Sequence, residues 1–225
     1  VQAFNKHGRR EMLEWCDKAY DYVQQIDKEF SDWLCVPRSK RTTSIKPSGT
    51  VSLLNGSTPG IHYPEAEYYI RRIRFSVGNA ILKAIEDAGY HIEKDAYSPN
   101  TMVASFPVHE PFFQKGKNEA TMWEQLEIAA AYQHYWADNS VSVTVTFKGD
   151  EAKDIKTALE MYESRLKAVS FLRFQETGYE QAPYEPITKE QYEEMSKNIT
   201  PIDRIETEEQ GAGTVFCDGD SCEIA

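Results

Sequence analysis

Between residues 140 and 147 the chain alternates without a break. Val141, Val143, Val145 and Phe147 fall on one side of an extended strand, and Ser140, Ser142, Thr144 and Thr146 fall on the other. A segment patterned this way has one apolar face that demands cover and one small, polar face that does not. Helical periodicity over 119–136 runs directly into it, a second helical stretch over 150–167 follows, and 169–174 reads as a buried strand. Helix, strand, helix and strand in succession predict an α/β fold with largely parallel pairing, because parallel neighbours are joined by crossover helices. The polar face carries two readings, a solvated sheet surface or the lining of a substrate cavity.

Upstream, Met12, Leu13, Cys16, Ala19, Tyr20, Val23, Ile26, Phe30 and Leu34 recur at three- and four-residue spacing. This predicts a helix over 9–34 with one buried stripe and Cys16 in the core, ended by Pro37. Residues 42–45 suit a short strand, Pro47-Ser48-Gly49-Thr50 interrupts it, and 51–54 resumes as a short helix. A strand is expected over 68–75, a helix over 79–88 with Gly89 at its C-terminal stop, and a strand over 101–106. The character changes beyond Phe174. Pro183, Pro186 and Pro201 punctuate a short helix over 189–197, and from Asp203 onward seven acids face the single base Arg204. The expected division is a folded part over 1–175 and a mobile acidic tail over 176–225. As a flexible coil, the stretch from Pro183 to Cys217 spans about 30 Å.

Charge narrows the partners. Lys plus Arg number 25 against 36 Asp plus Glu, a net charge of −11, which excludes duplex nucleic-acid binding by bulk charge and attraction to anionic membranes. No run approaches the roughly 18 apolar residues of a membrane span, and the first residues lack a leader pattern, so a soluble cytoplasmic protein is expected. Four cysteines are too few for a secreted disulfide scaffold. The chain opens on Val1 and enters an amphipathic helix almost at once, as a piece of a longer protein would.

Two segments carry chemistry. Residues 33–64 hold no Asp or Glu, where the overall frequency would place about five. Within this window Arg38, Lys40, Arg41 and Lys46 precede Ser48-Gly49-Thr50-Val51-Ser52, a glycine-containing turn with three hydroxyls at a helix start. Backbone N–H groups in such a turn donate to phosphate oxygens, and Gly49 permits close approach. The spacing is not that of a Walker loop, and an ordinary Ser/Thr-capped turn is the competing reading. The second segment is Cys217-Asp218-Gly219-Asp220-Ser221-Cys222. Two thiols around a flexible glycine can close a disulfide, while the neighbouring acids hold down thiolate formation, which suits a relay dithiol more than an attacking nucleophile. Two unrelated exposed thiols are the alternative. No metal centre is expected, since the nearest histidine is His134. Arg72 and Arg74 share a strand face and read as solvated or ion-paired, with an anion contact as the other option. His62 and Tyr63, close to Gly60, border the same region without an assigned role.

These residues together resemble a known family. Thr43-Ser44-Ile45-Lys46-Pro47-Ser48-Gly49-Thr50-Val51-Ser52, Thr58-Pro59-Gly60-Ile61-His62, the strand from Tyr69 to Phe75, Tyr135-Trp136-Ala137-Asp138-Asn139-Ser140, Gln181-Ala182-Pro183 with Glu185-Pro186-Ile187, and the terminal Cys-x4-Cys are similar to the C-terminal part of adenosylcobalamin-dependent (class II) ribonucleoside-triphosphate reductases. The resemblance implies part of a ten-stranded α/β barrel followed by the acidic tail. It implies a cobalamin-generated cysteine radical that removes the ribose 3′ hydrogen before the 2′ hydroxyl leaves as water. It further implies that Ser48, Gly49, Thr50, Val51 and Ser52 grip the phosphates of a ribonucleoside triphosphate. Cys217 and Cys222, on the same basis, are the shuttle pair that reduces a buried disulfide and is re-reduced by thioredoxin. The radical-forming cysteine and the two substrate-reducing cysteines belong to an N-terminal part that has no counterpart here. Neither Cys16 nor Cys35 sits in their context, so the chain alone is expected to reduce no nucleotide. A non-catalytic phosphate-binding and thiol-relay module acting on a partner chain is the alternative.

Overall fold

The computed structural model describes residues 1–47, 52, 57–174 and 180–202. In chain order the elements are α1 (Gln2–His7), α2 (Arg9–Leu34), β1 (Tyr68–Ser76), α3 (Ile81–Asp87), β2 (His91–Lys94), β3 (Thr101–His109), α4 (Met122–Tyr135) and β4 (Thr144–Phe147). A 3₁₀ turn (Ala152–Asp154) then runs into α5 (Ile155–Tyr162), followed by β5 (Ser170–Arg173), β6 (Tyr184–Pro186) and α6 (Lys189–Ser196).

The core grows from α4 and β4. Thr121 starts α4 with a capping box: its hydroxyl accepts from the Glu124 N–H at 3.1 Å, and the Glu124 carboxylate accepts from the Thr121 N–H at 2.8 Å. Ala129 and Ala130 are small where the helix meets the strand, so it lies close over Val141, Val143 and Val145, which are all buried. Ile61, Ala158 and Tyr162 complete this cluster. Fully burying a valine contributes about 1.5–3 kcal/mol. A one-residue slip would expose all three, so the alternation sets the register. β4 pairs parallel with β5, Thr144 opposite Ser170 and Phe147 opposite Arg173, and on its other side Ile45 forms a parallel bridge to Val141. Among the described residues, α4 and α5 pack on the valine face. Ser140, Ser142 and Thr146 are half-buried and Thr144 is exposed on the opposite face.

The expectation of largely parallel pairing holds for this small sheet and fails for the other. β2, β3, β1 and β6 form a four-stranded sheet in that order, and every pairing in it is antiparallel. β2 and β3 are joined by a connection of a few residues, which reverses the chain and leaves no room for a crossover helix.

Two further expectations need correction. The apolar stripe of α2 is only partly buried. Cys16 is in the core as expected, but Phe30 and Leu34 are exposed, along with Trp15, Tyr22 and Trp33. One side of α2 lies against α4 and the segment before Ile45, where Gln24 donates to the Thr42 hydroxyl at 2.6 Å, and the other side is largely exposed. The bounds of the helix are as expected: it ends at Leu34, where Cys35 turns left-handed with φ 55°.

The second correction concerns the boundary at 175. Residues 181–186 belong to the sheet: three β1 arginines donate to successive carbonyls, Arg74 to Gln181, Arg72 to Ala182 and Arg71 to Pro183, each at 3.0–3.1 Å. Arg72 also pairs with Glu185 at 2.5 Å and Arg74 with Asp95 at 3.2 Å, so the Arg72/Arg74 face is ion-paired. Four acceptors within one short stretch, three carbonyls and the Glu185 carboxylate, hold it far more firmly than the proline content of 183–201 suggests. α6 follows, and the Thr200 N–H donates to the Ala88 carbonyl at 2.9 Å. The folded part therefore continues to about residue 202, and the proposed tail, from 203, lies outside the described residues.

Gly89 makes that last docking possible. Its φ is +88°, and a Cβ there would lie 2.5 Å from the Asn198 carbonyl oxygen. Left-handed backbone costs an L-residue about 1–2 kcal/mol before any clash. Gly89→Ala is expected to destabilise the fold by about 2 kcal/mol or more, seen as a Tm lower by roughly 4–8 °C, and to speed hydrogen exchange of the Thr200 amide. Glu127 provides a second test. It accepts from Arg9 at 2.7 Å, Arg165 at 2.9 Å and the Tyr162 hydroxyl at 3.1 Å, joining α2, α4 and α5. The Arg165 guanidinium, ahead of Arg9 and Tyr162, pulls the Glu127 carboxyl from the usual 4.5 down to about 2. A carboxyl with a depressed folded-state pKa stabilises fully above its unfolded value, and that contribution fades as pH falls from about 4.5 toward 2. Urea midpoints measured across this window are expected to fall less steeply in Glu127→Gln than in the parent chain.

Candidate functional site

The segment leading into the candidate phosphate loop is built onto the approach to β4 by one carboxylate. Asp138 accepts from the Thr42 N–H at 2.9 Å and the Thr42 hydroxyl at 3.0 Å, and the Tyr20 hydroxyl donates to its other oxygen at 2.8 Å. The Thr42 amide is the main reason its carboxyl is held below the ordinary range, and the two hydroxyls add to it. The Asp138 N–H donates to the Thr43 hydroxyl at 3.0 Å, the Asn139 N–H to the Thr43 carbonyl at 3.0 Å and the Ser142 N–H to the Ile45 carbonyl at 2.9 Å. The Trp136 indole reaches the Ser44 carbonyl at 3.3 Å, and Arg41 reaches the Asn139 side chain at 3.1 Å. Thr42 to Ile45 and Asp138 to Ser142, nearly a hundred residues apart, thus run side by side in parallel, joined by the single β-bridge of Ile45 to Val141.

The loop departs from the C-terminal end of the first of these strands, the position where parallel α/β sheets receive ligands. Its two flanks meet again. A Cβ on Gly60, whose φ is +55°, would lie 3.4 Å from the Lys46 carbonyl oxygen and 3.8 Å from the Pro47 Cα. Thr58 and Ile61, on either side of Gly60 in sequence, are buried. Lys40 and Lys46 are exposed along the approach, and Arg41 is held by an amide rather than an acid. The mouth of the loop is therefore cationic in a chain of net charge −11.

Of the residues expected to carry chemistry, Ser52 is described: it is helical and half-buried, and its carbonyl accepts from the Ser57 N–H at 3.0 Å. Ser48, Gly49, Thr50 and Val51 lie outside the described residues, as do Cys217 and Cys222. Cys16 is buried and Cys35 exposed, both with free thiols.

Sequence reasoning did not find the Asp138 hub, the bond from the Thr144 N–H to His62, or Gln125. Gln125 accepts from the Thr146 N–H at 2.9 Å and donates to the Thr146 carbonyl at 2.8 Å. A glutamine on the apolar side of α4 is the only trace of this last role in the sequence. Among the described residues no group of three or more His, Cys, Asp or Glu side chains is arranged to hold a metal ion, and no helix is long and apolar enough to cross a membrane. A hollow of about 960 Å³ lies between α2 and the end of α4 and is walled by Arg9, Tyr20, Glu127, Asp138 and Arg165.

The chain has relatives among known proteins. No protein-family model matches the chain. It is 41% identical to an adenosylcobalamin-dependent ribonucleoside-triphosphate reductase of Euglena gracilis over 99% of its own length and 32% of the relative's. It is 40% identical to a probable reductase of the same name from Dictyostelium discoideum, over 100% of this chain and 30% of that one. Among solved structures it resembles a B12-dependent (class II) ribonucleotide reductase with a TM-score of 0.80 and 35% identity, over 86% of this chain and 28% of the other. The chain spans about a third of the length of the curated relatives it matches. It is, along essentially its whole length, a homologue of one stretch of the adenosylcobalamin-dependent ribonucleoside-triphosphate reductases.

Proposed function

We propose that this chain supplies the substrate-phosphate loop and the redox-relay cysteines of an adenosylcobalamin-dependent ribonucleotide reductase acting on ribonucleoside triphosphates in the cytoplasm. The observation that carries the reading is the position of the 46–57 loop: it leaves the C-terminal end of a parallel strand, behind a cationic mouth, beside a sheet face that is small and polar. Parallel sheets are ordinarily covered on both faces or closed into barrels. A parallel sheet with helices on one face only is what a segment of a ten-stranded barrel looks like when its polar side faces the interior. In this reading Ser48, Thr50 and Ser52 donate hydroxyls, and the backbone of Gly49 and Val51 donates N–H groups, to the triphosphate. Homology along the full chain favours this over a separate relay module.

Cys217 and Cys222 act by exchange. One thiolate attacks the disulfide left in the reductase after substrate reduction, the mixed disulfide is resolved by the other, and two electrons and two protons pass to the buried pair. Thioredoxin then reduces the Cys217–Cys222 disulfide. Adenosylcobalamin, when bound, generates the radical that starts the reaction. The described residues do not fit it well: the walls of the 960 Å³ hollow are already committed to one another, Arg9 and Arg165 to Glu127 and Tyr20 to Asp138. No step in this chain is assigned to the cofactor, and its site belongs, in this reading, to the remainder of the reductase.

A hybrid in which this chain replaces the corresponding stretch of the Euglena gracilis relative tests both roles. Reduction of ribonucleoside triphosphate is expected with adenosylcobalamin and either thioredoxin or dithiothreitol. With Cys217→Ser, thioredoxin-driven turnover is expected to vanish while dithiothreitol-driven turnover persists, and equal loss with both reductants would sink the shuttle role. Ser48→Ala combined with Thr50→Ala is expected to raise KM for the triphosphate about ten- to a hundredfold, since each charge-assisted hydrogen bond is worth roughly 1.5–3 kcal/mol and part is recovered by water. An unchanged KM would remove the loop from the site.

A further inference from the structure

α2 is apolar on two sides. Cys16 is buried on the side that meets α4, and Tyr20 and Gln24 reach Asp138 and Thr42 from there. On the side turned away, Trp15, Ala19, Tyr22, Ile26, Phe30 and Trp33 follow one another at spacings of four, three, four, four and three residues. At 1.5 Å per residue they form one ridge about 27 Å long. Its rings stand in water: Trp33 is 77% exposed, Tyr22 63%, Phe30 50% and Trp15 45%. They are also held in place, Trp15 against the His7 ring at 4.7 Å and Trp33 edge-on to Phe30 at 5.8 Å. A helix on the outside of a fold turns a polar face to water, whereas one that is apolar on both sides lies between two layers. α2 has the composition of the second kind and one of its two layers.

Area and charge select the occupant of the missing layer. An aromatic side chain carries about 150–250 Å², so these four partly exposed rings leave on the order of 500 Å² of apolar surface in water. That equals the largest apolar patch of a typical monomer, and such patches mark interaction sites. A second copy seated on the ridge would fall short of the roughly 800 Å² per partner that a stable complex buries. It would also bring like charges together, because Glu11, Glu14, Glu29 and Asp32 border the ridge against Lys18. The same acids repel the segment from Asp203 onward, which holds seven acids and one base. A partner in the same polypeptide needs no such area, since the connecting chain sets its effective concentration. The curated relatives offer one: the chain covers only 32% and 30% of their lengths.

We propose that the Trp15–Trp33 ridge of α2 is the face on which the remainder of the reductase docks. Its partner there is an amphipathic helix with apolar residues at i, i+3 or i+4, and i+7, bordered by Lys or Arg that meet the acids beside the ridge. This rests on the reading of the chain as part of a reductase, and the test separates the two. Hydroxyl-radical oxidation is followed in the 225-residue chain and in its hybrid with the Euglena gracilis relative. Trp33 is expected to react about fivefold or more slowly in the hybrid, as a side chain moving from 77% exposure into an interface core would. With Trp33 replaced by p-benzoylphenylalanine, the hybrid is expected to cross-link to a helix of the remainder that carries Lys or Arg. Tyr22→Glu combined with Trp33→Glu keeps good helix formers in α2. The pair is expected to lower the Tm of the hybrid by roughly 2–4 °C and that of the 225-residue chain by less than about 1 °C. A double variant that folds as the 225-residue chain and not as the hybrid counts as the same result. Equal oxidation of Trp33 in both proteins would overturn the docking face, as would cross-links confined to a second copy or to residues 203–225. Neither readout needs turnover. A hybrid that reduces triphosphate while Trp33 stays fully reactive loses the docking face and keeps the proposed function. Protection of Trp33 in a hybrid that fails the Cys217 and phosphate-loop tests removes those roles and leaves the docking face standing.

Discussion

The Asp138 carboxylate is the constraint on which the arrangement around the loop depends. It stands at the turn from α4 into the strand ending in β4, and it takes hydrogen bonds from α2 through Tyr20 and from the incoming strand through Thr42. Three segments separated widely in sequence are brought to one pair of oxygens. Once they are held there, the backbone pairing of 43–45 with 139–142 follows, and the direction in which the loop leaves is settled. Because the carboxyl is stabilised in its charged form by these donors, the junction is firm at neutral pH.

The antiparallel sheet solves a different problem with similar means. The chain that returns after β5 must be laid along β1, and a three-residue strand has little pairing of its own. Arg71, Arg72 and Arg74 supply the missing donors by reaching to the carbonyls of 181–183, and Arg71 also lies over the Tyr184 ring at 4.4 Å. A guanidinium offers five donors in a rigid fork, so three of them can hold a short, proline-containing stretch that a regular ladder would not. The cysteine-bearing end of the chain accordingly starts from a root fixed near residue 202, much closer to Cys217 than Pro183 is.

Much of this was legible in residue order. The alternation over 140–147 correctly placed Val141, Val143 and Val145 in the core and the hydroxyls opposite. Helix 9–34 was readable to the residue, because its spacing signal is long. The partial exposure of its stripe was not, since periodicity says which residues share a face and not whether a neighbour covers it. The antiparallel sheet escaped because a strand's direction relative to its partner is a property of the pair. β6 escaped because Tyr184-Glu185-Pro186 is too short and too polar to signal a strand; only the arginines opposite make it one.

By itself the sequence determined which faces are apolar, where the main helices lie, and, through its motif order, the reductases to which the chain is related, because these depend on local spacing and on residue identity. The tertiary structure alone decided that β1, β2, β3 and β6 run antiparallel, that Asp138 gathers Tyr20 and Thr42, and that His62 and Gln125 close the edge of β4 beside the loop. Each of these is a bond between groups distant in the chain, and the free energy of such a bond exists only once folding has brought its donor and acceptor within about 3 Å of each other.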